Sequence, residues 1–122
     1  MIFVKDLPRM RSFYTAMLGV EPHNTEWTDS YAEYEAGGTS FALHAIPAEF
    51  AANIEIASPP RPREQSPVKL TFESGIPEDQ LPAERARLEQ LGAQFLERPW
   101  GDWEGVDPEG NVFGLRAASP TD

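Results

Sequence analysis

Cysteine is absent from this 122-residue chain, and histidine occurs only twice. The absence of cysteine excludes disulfide bonds, thiolate nucleophiles and thiolate metal sites. His23 and His44 are the side chains that remain as soft metal ligands. A metal centre in one chain would therefore depend on these two imidazoles and on carboxylates.

Positive charge is also scarce. Ten lysines and arginines stand against 20 aspartates and glutamates, which gives a formal net charge of −10, and no run of basic residues is present. A nucleic-acid backbone or an anionic membrane would repel such a chain. We therefore expect a small-molecule partner, neutral or cationic, and neither nucleic acid nor membrane.

Long apolar runs are missing too. The N-terminus reaches the polar pair Lys5-Asp6 after four apolar residues, and no later stretch approaches the roughly 20 apolar residues that span a bilayer. This pattern predicts a cytoplasmic protein.

Sequence signatures of nucleotide binding and of serine hydrolases are absent as well. The chain contains no Gly-x-x-x-x-Gly-Lys, no Gly-x-Gly-x-x-Gly and no Gly-x-Ser-x-Gly motif. Carboxylates are plentiful, so acid–base chemistry without a metal stays open.

An internal repeat is present instead. Asp6-Leu7-Pro8 is followed by Leu18-Gly19, and Asp79 with Pro82 is followed by Leu91-Gly92, with 13 residues from Asp to Gly in both copies. Each Asp can cap a helix, each Pro is tolerated in the first turn, and each Gly suits the left-handed position after the last turn. The repeat predicts two helices of similar length.

The repeat continues in strand-like segments. Gly38–His44 aligns with Gly110–Arg116, since both segments have the pattern Gly-x-x-Phe-small-Leu-basic. Aromatic stretches at Tyr31–Ala36 and Trp100–Val106 precede them across turn residues. An apolar segment also opens each half, and the predicted unit is strand, helix, strand and then a hairpin, used twice.

The proline-rich segment 58–67 separates the two copies. Proline fixes φ and removes a hydrogen-bond donor, so this segment is interpreted as a linker. We expect one domain over residues 1–122, with module one at 1–58, the linker at 58–67 and module two at 68–118.

Several segments resemble the vicinal-oxygen-chelate superfamily, which includes glyoxalase I, bleomycin-resistance proteins and extradiol dioxygenases. They are VKDLPRMRSFYTAMLGVEP in the first half, and PVKLTFES, LEQLGAQ, RPWG and DPEGNVFGL in the second. The resemblance implies an α+β fold of two tandem βαβββ modules whose curled mixed sheets surround a cavity. It also implies a homodimer.

Active members of this superfamily hold a divalent metal with side chains from the first and last strands of each module. Transferred to this chain, the last-strand positions are Ala42 and Gly114, and the first strand Val68–Thr71 has no His, Gln or carboxylate. A metal needs several N or O donors at short distance. We therefore predict no metal and no other cofactor, and a divalent metal is the alternative.

Strand alternation predicts which side chains face the cavity. A two-residue loop at Gly37-Gly38 puts Glu33 opposite Ala42 and Tyr31 opposite His44. A four-residue loop at 107–110 puts Trp103 opposite Gly114, where its indole would fill the space of a metal site. The full predicted ligand-binding set is Tyr31, Glu33, His44, Phe72, Trp100, Trp103 and Arg116.

Simpler roles are open for some of these residues. His44 is also explained as a hydrogen-bonded strand histidine, Glu33 as a solvated strand residue and Trp100 as a loop anchor.

Three functions remain open. The first is a metal-free protein that binds an aromatic or cationic small molecule, similar to bleomycin-resistance proteins. The second is a lyase, isomerase or dioxygenase with atypical metal ligands such as His44 and Glu33. The third is a non-catalytic domain whose cavity is filled by its own side chains.

Overall fold

A computed structural model describes residues 1–63, 68–99 and 103–118. The chain folds as two compact units, Met1–Ile56 and Ala57–Asp122. Within the described ranges, the helices are too short or too polar to cross a membrane.

The first unit is a three-stranded mixed sheet with a helix on one face. Its elements are β1 (Ile2–Val4), α1 (Leu7–Leu18), β2 (Tyr31–Ala36), β3 (Thr39–Ala45) and the short α2 (Ala48–Ala51). The strand order is β1-β3-β2, with β1 parallel and β2 antiparallel to β3.

Helix α1 begins and ends where the repeat predicts. The Asp6 carboxylate accepts a hydrogen bond from the Arg9 amide at 3.1 Å, and Gly19 takes the left-handed conformation at φ 72°. Met10, Phe13 and Tyr14 are buried on one side of the helix, as expected for apolar residues at helical spacing.

The second unit has the complete strand–helix–three-strand order. Its elements are β4 (Leu70–Glu73), a 3-10 turn (Glu78–Gln80), α3 (Leu81–Gln90), β5 (Gln94–Leu96), β6 (Trp103–Val106) and β7 (Val112–Arg116). The strand order is β4-β7-β6-β5, in which β4 and β7 are parallel and the other pairs antiparallel.

The predicted α+β class and the repeated modular plan are confirmed, with two local differences. Asp79 does not cap α3, because it lies in the 3-10 turn and the helix starts at Leu81 without a side-chain cap. In the first unit, the segment between α1 and β2 forms no regular strand. The part of the predicted strand at 100–102 lies outside the described residues.

Candidate functional site

The first unit presents Tyr31, Glu33 and His44 on one face of its sheet, as predicted. Tyr31 pairs with His44 and Glu33 with Ala42 across the antiparallel ladder. Strand β1 adds Phe3 beside His44. We call these four side chains, Phe3, Tyr31, Glu33 and His44, the first-module face.

The other face of this sheet belongs to the core. Ala32, Tyr34 and Leu43 are fully buried there, and the Tyr34 hydroxyl lies 2.9 Å from Thr15 Oγ1 on α1. Alternation along β2 and β3 therefore separates the core from the first-module face, so polar groups on that face are not needed to pack the helix.

A hydrogen bond fixes the Tyr31 hydroxyl. It donates to Glu33 Oε2 at 2.9 Å. This bond, together with desolvation and the negative charge of Glu33, raises the pKa of Tyr31 above its usual value. Tyr31 is therefore a neutral phenol at physiological pH, with its single proton directed at the carboxylate.

Asn24 holds the segment before β2 against the edge of that strand. Its side-chain oxygen accepts from the Glu33 amide and its Nδ2 donates to the Tyr31 carbonyl, both at 2.9 Å. The His23 amide donates to the Glu33 carbonyl at 2.8 Å, and His23 Nε2 lies 3.7 Å from Glu33 Oε1. One asparagine side chain thus satisfies backbone groups that a further strand would otherwise pair.

The orientation of His44 is set by its own chain. Its Nδ1 lies 2.9 Å from the Ala45 carbonyl, which can only accept, so the neutral imidazole carries its proton on Nδ1 and an acceptor lone pair on Nε2. The centroid of the imidazole lies 5.4 Å from the centroid of the Phe3 ring and 6.0 Å from that of the Tyr31 ring. The simpler explanation, a hydrogen-bonded strand histidine, accounts for Nδ1 but not for Nε2.

In the second unit, the predicted register was wrong by one residue. Glu104, not Trp103, stands opposite Gly114, and Trp103 stands opposite Leu115. The connection between β6 and β7 has five residues, because the first pair of the ladder is Val106 with Val112. Compared with the predicted four-residue loop, a five-residue loop shifts the register by one residue and therefore places every side chain of β6 on the opposite face of the sheet.

The buried carboxylate of Asp107 produces this longer loop. Asp107 Oδ1 accepts from the amides of Glu109 and Asn111, and both its oxygens accept from Asn111 Nδ2. The Asp107 amide also donates to the Asn111 carbonyl at 2.9 Å. The Asp-Pro-Glu-Gly-Asn sequence is therefore a turn stabilised by its own side chains.

Trp103 and Phe72 consequently share the face of Leu115, on the side of the sheet opposite to Gly114. The Trp103 indole donates to Glu78 Oε1 at 3.3 Å, and the Phe72 ring lies 6.4 Å from Phe113. The hypothesis that Trp103 fills a metal site beside Gly114 is wrong for this reason.

Arg116 shares the Gly114 face, as predicted, whereas Trp100 lies outside the described residues.

Glu104 lies on the same face of the second sheet as Gly114, and the sequence did not predict it there. It is 2 % exposed, and its carboxylate contacts Lys69 Nζ at 2.8 Å and Arg98 Nε at 2.7 Å. Two cations offset the cost of burying one carboxylate. The signal in the sequence was a single glutamate among the uncharged residues of the segment Trp103–Val106. The face of the sheet on which this glutamate lies depends on the length of the following loop.

The second unit also contains a small hollow of about 160 Å³. Its volume is below the roughly 300 to 1,000 Å³ that is usual for drug-sized ligands. Its lining residues are Arg85, Phe95, Leu96, Glu97, Arg98, Trp103 and Glu104.

The last-strand positions at which the resemblance places metal ligands do not fit a metal ion. Neither Ala42 nor Gly114 has a side-chain donor atom, and a Cβ at Gly114 would already lie 3.3 Å from Thr71 Oγ1. Across residues 1–63, 68–99 and 103–118, no group of three or more His, Asp or Glu side chains is close enough to hold a metal.

Comparison with known families agrees with this architecture. The model of the glyoxalase-like domain matches residues 1–116. The chain belongs to the glyoxalase-like domain family. This places it in the vicinal-oxygen-chelate superfamily, which the sequence motifs predicted.

Solved structures share the glyoxalase-like fold at low sequence identity. A glyoxalase/bleomycin resistance protein from Albidiferax ferrireducens is 22% identical over 98% of this chain and 95% of its own, with a TM-score of 0.65. A glyoxalase/bleomycin resistance protein/dioxygenase family enzyme from Burkholderia phytofirmans is 18% identical over 97% and 94%, with a TM-score of 0.70. The fosfomycin resistance protein FosX from Mesorhizobium loti is 17% identical over 98% and 89%, with a TM-score of 0.67. No curated protein matches the sequence.

Proposed function

We propose that this glyoxalase-like protein binds a small aromatic or cationic molecule at the first-module face and holds it without a metal ion. The observation that carries the proposal is the grouping of a carboxylate, a phenol and an imidazole beside Phe3, a residue that is 59 % exposed. Aromatic rings next to acceptor groups suit flat or cationic ligands. The net charge of −10 further favours a cation.

A fragment titration followed by NMR tests the binding site. Neutral, cationic and anionic benzene derivatives are added to the labelled protein, and we expect saturable shifts at Phe3, Tyr31 and His44. Phe3→Ala should weaken binding, whereas Phe50→Ala should not, although Phe50 is equally exposed at 62 %. Binding that is insensitive to Phe3, or no binding by any fragment, would contradict the proposal. The second outcome would favour a non-catalytic domain with a filled cavity.

Metal analysis of protein purified without chelators tests the metal-free part. We expect bound metal well below one ion per chain, because Ala42 and Gly114 provide no donors. Stoichiometric nickel, zinc, iron or manganese would refute this part and support a lyase, isomerase or dioxygenase that uses atypical ligands.

We also propose that the protein is a cytoplasmic homodimer. Strands β1 and β4 are edge strands of their sheets, and the outward backbone groups of an edge strand can pair with another chain. Light scattering at low micromolar concentration should give twice the monomer mass, and a monomer at that concentration would contradict the proposal.

A further inference from the structure

We propose that the first-module face selects a protonated primary or secondary amine, and that Glu33 is the residue that selects it. This inference rests on the proposed function, which leaves the ligand as aromatic or cationic. It adds a requirement for N–H donors on the ligand, so a quaternary ammonium of the same charge should bind poorly.

The hydrogen-bond inventory of the face carries this inference. The Tyr31 hydroxyl has one proton, and that proton is donated to Glu33 Oε2. The His44 Nδ1 proton is donated to the Ala45 carbonyl. A ligand therefore meets an acceptor lone pair on the Tyr31 oxygen and another on His44 Nε2, and the Glu33 carboxylate is itself an acceptor.

Glu33 retains capacity for a further donor. Among the described residues, its Oε2 accepts from Tyr31, whereas Oε1 has His23 Nε2 at 3.7 Å, which is beyond hydrogen-bond distance. The Glu33 side chain is 28% exposed. An ammonium group from solvent can therefore reach a carboxylate oxygen that is only loosely contacted within the protein.

The rings beside these acceptors provide contact for the organic part of the amine. The ring centroid of Phe3, on β1, lies 5.4 Å from that of the His44 imidazole. The ring centroid of Tyr31, on β2, lies 6.0 Å from the same imidazole. Rings alone would accept quaternary and N–H-bearing cations alike, because both are attracted by the ring quadrupole. The acceptor groups are what separate the two classes, since a quaternary cation has no proton to donate to them and an N–H-bearing cation does.

Four single-ring probes test the inference by NMR titration: benzylamine, benzyltrimethylammonium, benzyl alcohol and benzoate. A hydrogen bond between charged partners should make benzylamine bind roughly 10- to 100-fold more tightly than the quaternary cation. Glu33→Gln should remove most of that advantage. This variant keeps an oxygen that can accept from Tyr31, and a thermal melt verifies that it folds.

Glu35→Gln is the matched control, because it removes one negative charge from an exposed site two residues along the same strand. It should leave the benzylamine affinity within about twofold, because water and salt weaken the attraction between an exposed carboxylate and an ammonium group that it does not contact. Equal binding of benzylamine and the quaternary cation, or equal losses in the two variants, would overturn the inference.

The probes also separate this inference from the proposed function. Binding of benzyl alcohol or benzoate at the first-module face without preference for benzylamine would overturn the amine selectivity and leave the proposed function standing. Failure of all four probes to shift Phe3, Tyr31 and His44 would count against both.

Discussion

At the scale of single residues, Glu33 and Glu104 differ in how the negative charge of the carboxylate is balanced. Glu33 is partly exposed and accepts from a phenol, while Glu104 is buried between Lys69 and Arg98. In the first arrangement one carboxylate oxygen accepts from Tyr31, and the other, 3.7 Å from His23 Nε2, is the oxygen that we propose a ligand contacts. The second uses both oxygens within the protein, so it serves stability.

The Tyr31–Glu33 bond predicts how Tyr31 titrates. Tyr31 should ionise above its usual pKa of 10.0 because ionisation breaks the bond and places a second negative charge beside Glu33. Glu33→Gln should lower the pKa of Tyr31 toward the usual value, as followed by the NMR shifts of its ring carbons. Glu35→Gln should have little effect, and an unchanged Tyr31 pKa in Glu33→Gln would contradict the assigned bond.

The buried charge cluster predicts a large loss of stability in Glu104→Gln. Removing the carboxylate charge leaves Lys69 and Arg98 repelling each other around a neutral side chain, which should cost about 2 to 4 kcal/mol of unfolding free energy. Chemical denaturation measures this loss. Glu97→Gln breaks a pair in which the Glu97 side chain is 90% exposed, and it should cost less than about 1 kcal/mol. Equal losses in the two variants would show that burial is not the cause.

At the scale of elements, the two copies of the repeat use the same sequence signal differently. Asp6 caps α1 through the Arg9 amide, whereas Asp79 precedes α3 inside a 3-10 turn. Proline at the second helical position is common to both helices. The short turn places Gln80, not Asp79, directly before the helix.

This difference predicts unequal effects of the same substitution. Asp6→Ala should lower the unfolding free energy by about 1 kcal/mol, as expected for loss of an N-cap. Asp79→Ala should change it by less than about 0.5 kcal/mol, because Asp79 is exposed and away from the cap position. Thermal or chemical unfolding of the two variants provides the comparison, and a larger effect at Asp79 would be inconsistent with the observed helix start.

Strand pairing was predicted correctly only in the hairpin whose loop length was predicted correctly. Gly37-Gly38 allowed a two-residue hairpin and therefore the correct pairs of Tyr31 with His44 and Glu33 with Ala42. The second hairpin failed because Asp107 and Asn111 close a five-residue loop through side-chain bonds, which no strand periodicity reveals. The same error hid Glu104, whereas helix α1 and the modular plan were predicted from caps and spacing.

The proposed site was predicted only in part. Strand parity gave Tyr31, Glu33 and His44, but the contribution of Phe3 depends on the parallel pairing of β1 with β3. The donors and acceptors of Tyr31 and His44 depend on partners within hydrogen-bond distance. Such partners follow from three-dimensional positions that sequence alone does not supply.

At the scale of the whole molecule, the excess of acidic side chains sets the response to salt. A net charge of −10 repels itself, and ions screen this repulsion over about 10 Å at 0.1 M ionic strength. Raising sodium chloride from roughly 0.01 to 0.2 M should therefore raise the Tm by on the order of a few degrees. Potassium chloride should act equally. A falling Tm would mean that ion pairs such as Lys69–Glu104 outweigh the net repulsion.

The hydrogen bonds of the Asn24 side chain to the edge of β2 have a consequence for the behaviour of the protein at high concentration. Glu33 and Tyr31 would otherwise present outward backbone groups at a strand edge, where a strand from another molecule could add and start an aggregate. Asn24 and the His23 amide occupy these groups without contributing a strand edge of their own. The Asn24 side chain and the His23 amide together therefore protect this edge against unwanted assembly, without occupying the face at which we propose that a ligand binds.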